Sequence, residues 1–160
     1  MTDYTDIIRQ LKDMHLTIAT AESCTGGRIS AALTAVPGAS EVVQGGVVAY
    51  QNIIKTEILH VPQEIIEQYD VVSEQVAERM TKGVCELLNA DIAVSTTGYV
   101  GPTGGSDKVK LGTVWIACGN HDKTVTKRLF VSKTREENLY RVVEEAFLLI
   151  EEFLNKIKEN

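Results

Sequence analysis

The sequence predicts a single α/β domain of three layers, with a mixed β-sheet flanked by helices. The first observation is that short β-rich runs alternate with amphipathic helical patterns along the chain. The second is a pair of β-rich runs joined by residues 120–123, which predicts a hairpin and so an antiparallel pair within the sheet. The third is the length of 160 residues, typical of one domain, without an internal repeat or a linker. We therefore expect one domain over residues 1–160.

The first half of the chain divides at its prolines and glycines. Pro37 and Gly38 break a helix, Gly45 and Gly46 indicate a bulge or a close backbone approach in a valine-rich strand, and Pro62 suits the first turn of a helix. The predicted elements are, in order, a helix at 2–14, a strand at 16–20, a helix at 28–36, a strand at 42–50, and helices at 51–61 and 62–69.

The second half contains the predicted hairpin and the longest helix. Thr134 and Glu137 have the spacing of a capping box, which predicts where that helix begins. Residues 97–106 include four glycines and predict a mobile or ligand-wrapping loop. The predicted elements are, in order, a helix at 73–89, strands at 91–96, 111–119 and 124–131, and a helix at 134–158.

Composition disfavours several classes of function. With 16 basic and 22 acidic residues, the chain has a net charge of −6 and little attraction for nucleic acid. Three separated cysteines suit a reducing compartment, and no apolar run is long enough to cross a membrane, so we expect a cytoplasmic protein. The three histidines fit no known metal-ligand spacing, and we expect neither a metal nor a cofactor.

Residues 20–27 are a candidate functional stretch, because a predicted buried strand is followed there by a polar cluster and two glycines, and then by a helix. Such a turn presents a hydroxyl beside unpaired helix N–H groups, which favours chemistry or anion binding. The alternative is that Ser23 or Thr25 merely caps the helix and the glycines merely turn the chain. These residues alone leave both interpretations open.

Three polar stretches, at 23–27, 50–55 and 96–106, follow predicted strands, where ligands of α/β sheets gather. A serine hydroxyl needs a base, and a lysine with a lowered pKa can serve as one, so Ser23 and Lys55 form a candidate pair. Tyr50 could share their proton network. The alternatives are a solvated Lys55 and a half-buried Tyr50.

Two further features bear on the same site. Cys24 is a rival nucleophile, although a buried inert thiol is the commoner role of such a residue. Arg135 and Arg141, near the start of the last helix, could clamp a phosphate, with exposed ion pairs as the alternative.

Five stretches together resemble the CinA C-terminal domain family, and the resemblance spans nearly the whole chain. They are, in order, Thr20-Ala21-Glu22-Ser23-Cys24-Thr25-Gly26-Gly27, Val48-Ala49-Tyr50-Gln51-Asn52-x-x-Lys55, Val72-Ser73-Glu74, Gly98-x-x-Gly101-Pro102-x-Gly104-Gly105 and Gly112-Thr113-Val114. The resemblance implies a nicotinamide-nucleotide amidohydrolase, which converts nicotinamide mononucleotide (NMN) and water to nicotinate mononucleotide and ammonia without a cofactor.

The resemblance also implies roles for individual residues. Ser23 would be the nucleophile, and Tyr50 and Lys55 would transfer protons. The turn would donate N–H groups to the oxyanion, and the loop with an arginine would hold the ribose phosphate. The implied substrate-binding residues are Cys24, Thr25, Gly26, Gly27, Thr96, Thr97, Gly98, Gly101, Gly104, Gly105, Arg135 and Arg141.

The chain departs from the family pattern in the binding loop. It has Tyr99 and Val100 where the family usually has Ile and Ala, and 108–114 reads Lys-Val-Lys-Leu-Gly-Thr-Val instead of the shorter Lys-Pro-Val-Gly-Thr-Val. Two alternatives therefore accompany the amidohydrolase hypothesis: a catalytically silent binding protein of the competence- or damage-related kind, and a serine–lysine amidase for another small carboxamide. The long final helix and the valine-rich strand favour a two-fold dimer.

Overall fold

The computed structural model describes residues 3–160 and contains the predicted mixed sheet and helices. The elements are, in order, α1 (Thr5–Asp13), β1 (Ile18–Glu22), α2 (Arg28–Thr34), a 3-10 turn (Ala39–Glu41), β2 (Val43–Val48), α3 (Asn52–Glu57), α4 (Gln63–Tyr69), α5 (Glu74–Leu88), β3 (Ile92–Gly98), β4 (Thr113–Gly119), β5 (Thr124–Phe130) and α6 (Arg135–Lys158). Residue 2, where the first helix was expected to begin, lies outside the described residues.

The five strands form one sheet in the order β2-β1-β3-β4-β5. β1 pairs in parallel with β2 and β3, whereas β4 runs antiparallel to β3 and pairs with β5 in the predicted hairpin. Because β1, β2 and β3 are parallel, their carboxyl ends lie at one edge of the sheet, which is where ligands collect in α/β folds. The loops after these three strands therefore meet.

Two apolar clusters cover the two faces of the sheet and give the three predicted layers. The first joins residues of α1, α2 and α6 to one face of the strands, and the second joins α4 and α5 to the opposite face. The sheet strand β1 is buried on both sides: Ile18 belongs to the first cluster, and Ala19 and Ala21 belong to the second. Within residues 3–160, no helix is long and apolar enough to cross a membrane.

Gly45 and Gly46 fulfil both predictions made for them. The register between β1 and β2 shifts between the pairs Ile18–Val43 and Ala19–Gly45, so the bulge lies at Gln44, directly before Gly45. A Cβ on Gly46 would lie 2.1 Å from Oγ1 of Thr20 and 2.6 Å from Oγ of Ser30, so α2 and β1 approach too closely for any side chain there.

The prediction for β1 was wrong at both ends, since the strand covers Ile18–Glu22 instead of 16–20. Polar residues were taken to end the strand at Thr20. Thr20 and Glu22 are instead fully buried in the sheet, because their side chains find hydrogen-bond partners in α2. The predicted capping box at the start of α6 is confirmed, with Thr134 and Glu137 bonding each other's backbone N–H groups.

Candidate active site

A cavity of about 250 Å³ opens at the carboxyl edge of the parallel strands. It brings together side chains that are far apart in sequence, namely those of Ser23 after β1, Tyr50 after β2 and Lys55 on α3. The remaining lining residues are Cys24, Asn52, Val71, Val72, Thr97, Gly98, Tyr99, Val100, Thr103 and Arg135. The candidate serine, lysine and tyrosine therefore line one space.

Ser23 lies in a tight turn between β1 and α2. Its N–H donates to the carbonyl of Thr96 at 3.1 Å, and its own carbonyl accepts from the N–H of Gly26 at 3.2 Å. Gly26 and Gly27 have φ values of 59° and 100°, a region that residues with a Cβ rarely adopt, so the turn requires glycine. These bonds hold the backbone of Ser23, which lines the cavity and is 8% exposed.

Glu22, which the sequence analysis did not single out, caps helix α2. Its carboxylate is fully buried and accepts the N–H of Ile29 at 2.8 Å and that of Ser30 at 3.0 Å. The hydroxyl of Thr25 also donates to it at 2.7 Å. A carboxylate at this position is stabilised by the partial positive charge of the helix N-terminus.

This cap corrects part of each interpretation of residues 20–27, while the prediction that Gly26 and Gly27 turn the chain is confirmed. Neither Ser23 nor Thr25 caps the helix, and the N–H groups of the first turn are not free for an anion, because Glu22 occupies them. Thr25 bonds Glu22 and the hydroxyl of Thr96 behind the turn. The acidic residue just before the polar cluster was the signal that could have revealed the cap.

Of the four turn residues predicted to bind substrate, Cys24 alone lines the cavity. Its backbone N–H donates to no other residue among residues 3–160, although it lies against the thiol of Cys24 itself. Burial raises the pKa of its thiol to about 11, so the group is protonated near neutral pH. This disfavours Cys24 as a nucleophile.

Lys55 is buried in the wall of the cavity, with an exposure of 1%. Its Nζ donates to the carbonyl oxygens of Ala49 at 2.7 Å and Tyr50 at 3.2 Å. Burial lowers its pKa to about 8, with the neighbouring Cys24 opposing the shift. The alternative of a solvated surface charge is therefore wrong.

Tyr50 and Arg135 meet at the rim of the cavity. Tyr50 is 56% exposed, so the expectation of a half-buried core tyrosine is also wrong. A guanidinium nitrogen of Arg135 donates to the Tyr50 hydroxyl at 3.4 Å, and another donates to the carbonyl of Gly101 at 2.7 Å. Arg141 lies outside this cavity and donates instead to the carbonyl of Phe130.

Fewer residues of the stretch 96–105 line the cavity than the sequence analysis predicted. Thr97 and Gly98 line the cavity, but Gly101, Gly104 and Gly105 do not; all three have positive φ and shape the loop. Thr96 is buried behind the turn, bonded to Thr25. The loop therefore forms a wall whose position the glycines set.

Asp70, at the end of α4, ties this loop in place. Its carboxylate accepts the hydroxyls of Tyr99 and Ser106 and the N–H of Val72. Lys108 adds hydrogen bonds to the carbonyls of Glu67 and Gln68. Sequence reasoning missed Asp70 because its two partners in the loop, Tyr99 and Ser106, lie 29 and 36 residues further along the chain.

The fold and the cavity define an α/β domain in which a serine and a buried lysine share a site at the ends of parallel strands. Residues 3–154 match the family described as the CinA C-terminal domain. A CinA-like protein of Cytophaga hutchinsonii is 43% identical over 148 residues, which are 92% of this chain and 35% of that protein. The chain belongs to the CinA C-terminal domain family and spans about a third of the length of the curated relatives it matches.

Solved structures agree with this assignment. A CinA superfamily protein from Escherichia coli has a TM-score of 0.88 and 34% identity, with 91% of this chain and 85% of that chain covered. One from Klebsiella pneumoniae has a TM-score of 0.90 and 31% identity, with 97% and 99% covered. The predicted family and fold are thus confirmed.

Proposed function

We propose that the chain is a nicotinamide-nucleotide amidohydrolase that converts NMN and water to nicotinate mononucleotide and ammonia. The observation that carries the proposal is a buried lysine of lowered pKa in the same cavity as the candidate serine. Burial disfavours the charged form of Lys55, and side chains whose pKa is perturbed in this way are common at catalytic sites. Family membership supports the same reaction class.

In the first half of the reaction, neutral Lys55 takes the proton of the Ser23 hydroxyl as the oxygen attacks the carboxamide carbon. The resulting ammonium then gives a proton to the amide nitrogen, the C–N bond breaks, and ammonia leaves. Nζ of Lys55 also donates to two backbone carbonyls. Contacts between catalytic groups commonly tighten only when substrate is present.

In the second half, water attacks the ester carbon. Lys55 accepts a proton from that water and returns it to the Ser23 oxygen as the ester bond breaks. The N–H of Cys24 is the proposed donor to the oxyanion in both halves. Tyr50, next to Lys55 in the lining, is proposed to share its phenolic proton with the amide nitrogen or with the serine.

Arg135 is the proposed phosphate ligand. It lines the cavity at the rim, beside the exposed Tyr50, whereas Arg141 lies elsewhere. The volume of about 250 Å³ lies just below the range of about 300–1,000 Å³ that is typical of small-molecule sites, so the cavity has no room for the whole nucleotide. We therefore place the pyridine ring and ribose inside the cavity and the phosphate at Arg135.

The test is to incubate the purified protein with NMN and measure ammonia and nicotinate mononucleotide together. Equal amounts of both products, with much slower release from nicotinamide, which lacks the ribose phosphate, are expected. Comparable turnover of NMN and nicotinamide would favour an amidase for another carboxamide. Binding of NMN without any ammonia would favour the silent binding protein instead.

The two-fold dimer remains a prediction from the sequence. Light scattering during size-exclusion chromatography would decide it, with twice the chain mass of 17.6 kDa as the expected result and the mass of one chain as the contrary one.

A further inference from the structure

Tyr99 lines the cavity and is held in place through both its backbone and its side chain. Its hydroxyl donates to Oδ1 of Asp70 at 2.8 Å, and its backbone N–H donates to the carbonyl of Thr113 at 2.9 Å. A Cβ on Gly104 would lie 3.4 Å from Cδ1 of the tyrosine ring, so the ring packs directly on that glycine. The tyrosine is thus fixed before any ligand arrives, which reduces the entropy lost on binding.

Asp70, which accepts the Tyr99 hydroxyl, is itself held in place. Its two carboxylate oxygens accept from the N–H of Val72 and from the hydroxyl of Ser106. Burial, aided by the bond to Asp70, raises the pKa of the Tyr99 phenol to about 12. A phenol that donates to a carboxylate is polarised toward a more electron-rich ring.

The charges around the cavity explain why such a ring matters. Among the described lining residues, the ionised side chains are Lys55 and Arg135, both basic, and no carboxylate lines the space. A positively charged pyridinium ring would therefore meet two cations. The electron-rich face of a tyrosine attracts a cation and would offset that repulsion.

We infer that Tyr99 is a specificity-determining residue that favours a positively charged pyridinium carboxamide over a neutral ring of the same shape, with Asp70 as its positioning residue. The inference rests on the proposed function. It adds to that function a selection for the charge of the pyridine ring, which the aromatic face of Tyr99 would make.

The test compares NMN with its reduced form, whose dihydropyridine ring is neutral while the carboxamide, ribose and phosphate are the same. Both nucleotides are titrated calorimetrically into Ser23→Ala protein, which excludes turnover. Further variants in that background are Tyr99→Leu, Tyr99→Phe and Asp70→Asn. Tyr69→Leu is the matched control, because Tyr69 is exposed and lies outside the cavity.

Tyr99→Leu is expected to weaken binding of NMN about 5- to 30-fold and to change binding of the reduced nucleotide less than about twofold. Tyr99→Phe and Asp70→Asn keep the aromatic face and should have smaller effects of the same sign, and Tyr69→Leu should have none. In protein that retains Ser23, Tyr99→Leu should raise KM for NMN with little change in kcat.

Equal weakening of both nucleotides by Tyr99→Leu would overturn the inference, since the ring would then supply shape alone. Affinities for NMN and for its reduced form that are both unaffected by Tyr99→Leu would overturn it as well. Either result alongside normal release of ammonia from NMN would leave the proposed function standing. A shifted preference without ammonia release would support the inference about the wall and contradict the proposed chemistry.

Discussion

Titration of Lys55 gives the sharpest prediction about the site. The ordinary pKa of a lysine is 10.5, and burial lowers that of Lys55 to about 8. Only the neutral amine can accept the Ser23 proton. The pH dependence of hydrolysis should therefore follow the neutral fraction of this one side chain.

The size of the effect follows from the two pKa values. At pH 7, a lysine of pKa 8 is about one-tenth neutral, whereas a lysine of pKa 10.5 is neutral in about one molecule in 3,000. The burial of Lys55 thus raises the concentration of the active form about 300-fold. The value of kcat/KM for NMN should rise about tenfold per pH unit below pH 8 and level off above it.

The assay is ammonia release at limiting NMN between about pH 6 and pH 10, at constant ionic strength and with circular dichroism to verify folding at each pH. A single rise with a midpoint near pH 8 is expected for the protein. A flat profile, or a rise that continues to pH 10, would refute the assignment of Lys55 as the base. Lys55→Arg, whose guanidinium stays charged, should be inactive throughout.

Three further predictions concern stability and binding. Between pH 8 and 10.5, Lys55 is protonated in the unfolded chain and neutral in the folded one. The unfolding free energy of the protein should therefore rise over that range by up to about 3 kcal/mol relative to that of Lys55→Met, measured by urea denaturation. Parallel curves for the two proteins would contradict the lowered pKa. Glu22→Ala leaves the N–H groups of Ile29 and Ser30 without their acceptor and should lower the unfolding free energy by about 3 kcal/mol. Calorimetry should then show a fall in Tm of about 6–12 °C. An unchanged Tm would show that the cap is dispensable. Arg135→Met should raise KM for NMN about 10- to 100-fold and leave KM for nicotinamide riboside, which has no phosphate, nearly unchanged. Arg141→Met should change KM for NMN less than about twofold. Equal effects of both variants would exclude Arg135 as the phosphate ligand.

The order of the elements was predictable because each has a local cause. Apolar spacing, the breaker pair Pro37 and Gly38, and the capping box of Thr134 and Glu137 act within a few residues. The end of β1 was misplaced because the burial of Thr20 and Glu22 depends on partners in the following helix, which no local pattern reports.

The candidate site likewise has residues that the sequence could predict and one choice that it could not make. Ser23, Tyr50 and Lys55 follow parallel strands, and the rule that strand ends meet at one edge brought them together correctly. The choice between Arg135 and Arg141 needed the helix orientation. These residues are six apart on a helix of 3.6 residues per turn and therefore face different directions.

The loop glycines show a different limit of sequence reasoning. A glycine that binds a ligand and one that only allows a positive φ look alike in a sequence. Gly98 lines the cavity, whereas Gly104 makes room for the ring of Tyr99. Contacts between distant residues, such as that of Asp70 with Tyr99, were equally invisible.

Ammonia release from NMN by Ser23→Ala protein tests the central claim most directly. Ser132→Ala is the matched control, because Ser132 is exposed and lies outside the cavity. Loss of the hydroxyl at Ser23 should reduce kcat at least about 1,000-fold, with the fold retained, while the control keeps the full rate. Undiminished turnover by the Ser23→Ala protein would contradict the assignment of Ser23 as the nucleophile.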